Sequence, residues 1–131
     1  MQANTIKFTD LCSRLPSIYD PQLSKDEKSQ IESALNRFKL QSDSLIQVRD
    51  LIASNPDIIA NPYIGWYILS VLEFWAEFRM ETPQAAQMHR AFIWELIGSG
   101  KLSQRHLVVK ALKALVSLAK SSWPHLLPGK F

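Results

Sequence analysis

Three histidines and a single cysteine are the first residues to weigh for chemistry in this 131-residue chain. His89, His106 and His125 are scattered, and none has a second ligand four residues on, so the spacing of a helical zinc site is missing. Cys12 is alone, which excludes an internal disulfide and a multi-cysteine metal site and points to a reducing compartment. There is no glycine-rich phosphate loop and no Gly-x-Ser-x-Gly elbow. The sequence therefore predicts neither an enzyme nor a cofactor.

What remains is the chemistry of contact. Asp43, Gln47, Asp50 and Ser54 fall on one polar stripe at helical spacing, opposite Leu45, Val48 and Ile52. Gln87, Arg90 and Trp94 form a second stripe, opposite Ala85, Met88, Phe92 and Leu96. Trp and Arg are both enriched among the residues that dominate interface energy. The candidate partner-binding residues are thus Gln47, Asp50, Gln87, Arg90 and Trp94; Trp94 is equally suited to packing against a neighbouring repeat. A third strip, Arg105 or His106 followed by Lys110, Lys113 and Lys120, offers cations to phosphate. No aromatic residue interleaves with those lysines in sequence, which argues against nucleic acid and for a solvated face.

Helices are needed to position these stripes, and their start and stop signals are explicit. Ser24 followed by Glu27 is a capping box, predicting a helix over 25–39 with Ile31, Ala34, Leu35 and Phe38 on one side. Asp43 is placed to cap a second helix over 43–54. Asn61-Pro62 starts a third, over 62–80, whose stripe of Ile64, Tyr67, Ile68, Val71, Leu72 and Trp75 is joined on other faces by Trp66, Leu69, Phe74 and Phe78, so that it wants cover on several sides. Thr82-Pro83 repeats the device for a helix over 84–97, ended at Gly98 or Gly100. Ser103 caps a fifth, over 103–121, which Pro124 is expected to stop before a new helix begins.

The order is an N-terminal segment, residues 1–23, followed by helix pairs over 24–131 at a period of about 40 residues, the third pair cut short. That is an all-α superhelix of antiparallel helix pairs, a HEAT- or armadillo-like solenoid in which each unit buries its face against its neighbours. Composition agrees: 47% of residues are hydrophobic and 21% charged, enough to build a core. The net charge is only +3, and charges alternate in sign, so a dedicated polyanion binder is disfavoured. The most apolar stretch, residues 63–78, is broken by Glu73 and Glu77, and the N-terminus has no export signal, so no membrane partner is expected.

Tyr67-Ile68-Leu69-Ser70-Val71-Leu72-Glu73 resembles a Tyr-x-Leu-x-(Val/Ile)-(Leu/Phe)-Glu pattern near the N-terminus of nuclear exportins of the importin-β superfamily. Leu35-Asn36 and Phe38-Lys39, then Asp43, Pro83 and Trp123-Pro124, arrive in the same order as in that family, so the likeness spans about residues 24–131. Leu45 and Phe74 depart from it, standing where members often have Trp and Asn. The resemblance implies the N-terminal part of a transport receptor that shuttles between nucleus and cytoplasm. Its partners would be the GTPase Ran in its GTP form, a protein cargo and nucleoporins. Ran would meet the inner helices, near 43–54 and 84–97, with outer helices near 25–39, 62–80 and 103–121. A helical-repeat scaffold that holds a protein complex without Ran is the alternative.

Overall fold

In the computed structural model, residues 6–15, 20–102 and 104–126 are described, 121–126 by backbone alone. All regular structure among them is helical: α1 (Phe8–Arg14), α2 (Lys25–Leu40), α3 (Ser44–Ser54), a 3-10 turn at Pro56–Ala60, α4 (Pro62–Phe78), α5 (Pro83–Gly98) and α6 (Arg105–Leu126).

Capping decides where most of these begin. Ser24 Oγ accepts from the Glu27 amide at 3.1 Å, Asn61 Oδ1 from the amides of Tyr63 and Ile64, and Thr82 Oγ1 from that of Ala85 at 3.0 Å. Each bond satisfies a donor that the first helical turn leaves unpaired. Gly100 takes the left-handed geometry beyond α5, with φ of 75°, while Gly98 remains the last helical residue. The expected cap at Ser103 lies outside the described residues.

Two expectations change, and one element is added. Asp43 makes no cap bond to α3; its carboxylate accepts instead from the side-chain amides of Gln41 and Gln47, both at 3.0 Å. Pro124 does not stop α6, which runs on to Leu126. Pro124 brings no amide to the helix, so the backbone runs through it with the bond to the Lys120 carbonyl forgone. Trp123-Pro124 therefore lies within a continuous helix. Finally, the N-terminal segment contains α1, which no cap announces because Lys7 makes no side-chain bond there. Tertiary contact holds it: Phe8 stacks on Phe38 with centroids 5.2 Å apart, and Tyr67 closes the cluster.

The order of contacts along each helix fixes the layers. Tyr67 Oη donates to Leu35 O at 2.6 Å and Arg79 Nη2 to Leu40 O at 2.8 Å, so α2 and α4 run parallel. Trp66 rests against His106, and Lys110 pairs with Glu73 at 3.1 Å, so α4 and α6 are parallel too. In contrast, His89 bonds Leu72 O while Ala86 packs with Ala76, which makes α5 antiparallel to α4. Arg49 reaches across to His89 and to Phe92, joining α3 to α5. Helices α2, α4 and α6 thus form one layer and α3 with α5 the other, stacked as helix pairs.

Between the layers lies one main core, centred on Phe38, Val48, Ile68, Leu69, Leu72, Ile93 and Leu107, all fully buried. Each such side chain contributes roughly 1.5–3 kcal/mol by leaving water. Small residues bring α4 and α6 close: Gly65, Ala111 and Ala114 are buried at their interface. Two polar groups complete the interior. Ser44, with no exposure, donates to Lys39 O at 3.0 Å and accepts from Trp75 Nε1 at 2.8 Å, so both meet the requirement that buried polar atoms be bonded. Burial pushes the Tyr67 hydroxyl above its ordinary range and the Cys12 thiol up to about 11.

Candidate functional site

The two polar stripes lie on α3 and α5, in the same layer, so the fold brings the predicted contact residues to one side of the molecule. Asp50, Gln87, Arg90 and Trp94 are all exposed there. Gln47 is not. Its side-chain carbonyl accepts from the Phe8 amide at 2.8 Å, and its amide donates to Ile6 O at 3.1 Å and to Asp43 Oδ2 at 3.0 Å. With Gln41, which brackets Ile6 through two further bonds, it ties the N-terminal segment to α3. Gln47 is a structural clasp.

The apolar members of this face are the ones sequence reasoning missed. Met88 was placed on the core side of its helix, yet it is 65% exposed, and His89 is buried in its stead. Ile46, at 61% exposure, points outward from α3 opposite the buried Leu45 and Val48. Trp94 is 54% exposed. Ile46, Met88 and Trp94, exposed on the same two helices as Asp50, Gln87 and Arg90, give this layer both apolar anchors and polar groups of the kinds found where proteins meet.

Beneath that surface a buried polar bridge locks α3 to α5. His89 Nε2–H donates to Leu72 O at 2.8 Å, which leaves Nδ1 to accept from Arg49 Nη2 at 3.0 Å. The carbonyl cannot donate and the guanidinium cannot accept, so the tautomer follows from the partners. Burial lowers the His89 pKa to about 4, with Arg49 lowering it further and the Leu72 carbonyl opposing. Burial also lowers the Arg49 pKa. The guanidinium lies 5.2 Å from the centre of the Phe92 ring. It also lines a cleft of about 310 Å³ with Ile52, Phe92, Glu95 and Lys101, and its Nε is buried without a partner among the described residues.

The bridge was not read from the sequence because Arg49 and His89 lie beside apolar stripes as isolated polar letters. Among the described residues, no group of three or more His, Cys, Asp or Glu is placed to hold a metal ion. None of the described helices is long and apolar enough to cross a membrane. Comparisons with protein-family models, with curated proteins and with solved structures give no match for this chain.

Proposed function

We propose that this chain is a protein-binding module of stacked helix pairs, whose contact face is the exposed side of α3 and α5. The observation that carries this reading is the set of uncovered apolar side chains on these two helices, Ile46 on α3 and Met88 and Trp94 on α5, with Asp50, Gln87 and Arg90 exposed on the same helices. Removing a large apolar side chain from water on binding contributes roughly 1.5–3 kcal/mol, and an exposed Trp offers the most area at the least entropic cost. The locked bridge below keeps the face rigid, which lowers the ordering cost of association.

Within that reading, we place the module in nuclear transport, as the N-terminal part of an exportin-like receptor that takes Ran in its GTP form together with a protein cargo and meets nucleoporins as it shuttles between nucleus and cytoplasm. Support comes from the ordered sequence pattern between Leu35 and Glu73 and from the two-layer arrangement, in which α3 and α5 share the layer opposite α2, α4 and α6, as inner helices would under the resemblance. Binding of GTPase and cargo would then be mutually favourable, a coupling that is necessarily reciprocal.

Calorimetric titration with Ran tests this. The GTP-loaded form is expected to bind at least about tenfold more tightly than the GDP-loaded form, and Trp94→Ala is expected to weaken that binding by about tenfold or more, as for a hot-spot aromatic. Unfolding stability should stay within about 0.5 kcal/mol, because an exposed side chain is removed. Equal binding of the two nucleotide forms, or none, removes the transport reading. Capture of a different protein that Trp94→Ala releases would then favour the scaffold alternative.

A further inference from the structure

The outer layer carries a second surface of different chemistry. Along the sequence the cations of α6 have no aromatic companion, but the packing of α4 against α6 supplies one. Trp66 turns away from the core, is 44% exposed, and stands among those cations: Lys110 Nζ lies 4.3 Å from its ring centre and the His106 ring 5.7 Å away. A groove of about 670 Å³ opens here, lined by Trp66, Glu73, Arg105, His106, Lys110 and Lys113 among others. A second cleft, of about 550 Å³ and bordered by Tyr63, also has Trp66 and His106 in its lining, so the two adjoin at those residues along one exposed track.

Charge within the track is positive. Glu73 is its one carboxylate among the lining residues and is paired with Lys110 at 3.1 Å. Among the described residues, Arg105 and Lys113 have no carboxylate within ion-pair distance. They stand eight positions apart on α6, about 12 Å along its axis. Two cations separated by an aromatic plane match a chain that alternates phosphates with flat bases. A small nucleotide would need enclosure of most of its surface, whereas Trp66 and Tyr63 remain 44% and 41% exposed, so the track is open. An acidic peptide would use the cations and leave the rings idle.

We infer that the α4–α6 face binds single-stranded nucleic acid, with a base stacked on Trp66 and phosphates held by Arg105 and Lys113. This site lies on the opposite layer from the protein-binding face and does not depend on it.

Fluorescence anisotropy of the chain with a short labelled oligothymidine decides the matter. Binding is expected at low salt, with log K falling against log salt at a slope of about −1.4 for two neutralised phosphates. Trp66→Ala weakens it about tenfold with the slope retained, while Trp66→Phe keeps most of the affinity. Arg105→Gln with Lys113→Gln weakens it and flattens the slope, and Trp94→Ala changes nothing. Circular dichroism shows that each variant is folded. No binding at low salt overturns the inference. So does tighter binding of the duplex form, or polyglutamate binding as tightly as the oligonucleotide with Trp66→Ala affecting neither.

Discussion

Gly65→Ala is expected to lower the unfolding free energy by about 3 kcal/mol, although the same change inside an ordinary helix raises stability by about 1 kcal/mol. The sign reverses because Gly65 sits where three pieces of chain converge. A Cβ there would come within 2.4 Å of the backbone carbonyl oxygen of Ile59 and 3.3 Å of Leu107 Cδ1. The leucine can turn aside; the carbonyl belongs to the 3-10 turn that feeds α4 and cannot move without shifting it. Separation of α4 from that turn or from α6 would open the close packing around Gly65. Urea unfolding of the variant measures the loss. A gain in stability would mean that α4 and the turn are further apart than described.

Acidification should be nearly as costly. An unfolded histidine titrates near 6.5, whereas His89 in the fold does so at about 4. Between those values the unfolded chain carries a proton that the folded chain refuses, so stability is complete above pH 6.5 and declines as pH falls toward 4. The full difference is about 3 kcal/mol. The physical origin is the bridge: protonated Nδ1 could no longer accept from Arg49, and two cations would face each other in a buried site. Chemical unfolding at a series of pH values reads the slope. In His89→Gln, whose amide can still donate to Leu72 O and accept from Arg49, the chain should lose most of this pH dependence. An unchanged slope would assign it to other groups.

Much of the layering could be read from local signals, because helix starts are decided by chemistry within one turn. Ser24, Asn61 and Thr82 cap as their positions imply, and Pro62 and Pro83 each supply a first-turn residue with no amide to satisfy. Failures occur where distant residues decide. Helix α1 has seven residues and no side-chain cap, and it exists because Phe8 finds Phe38 and because Gln41 and Gln47 bind its leading backbone. Asp43 suits a cap by type and place, but the two nearby glutamines offer its carboxylate other donors. Met88 and His89 exchanged places because hydrophobicity ranks methionine as the core residue, while burial of an imidazole depends on partners forty and seventeen positions away in sequence.

The candidate sites divide along the same line. Asp50, Gln87, Arg90 and Trp94 were visible as stripes, since helical period alone turns them outward. Ile46 and Met88 were hidden by their own apolarity. The groove around Trp66 was invisible because its aromatic and its cations belong to different helices, joined only by the approach of α4 to α6 that Gly65 permits.

Amide hydrogen exchange of the chain, alone and with saturating GTP-loaded Ran, tests the central claim most directly, that the exposed side of α3 and α5 is a protein-binding face. Slowed exchange is expected over residues 46–50 and 87–94, with little change in α4 and α6. Protection confined to α4 and α6, or an exchange pattern that Ran leaves unaltered, would contradict it.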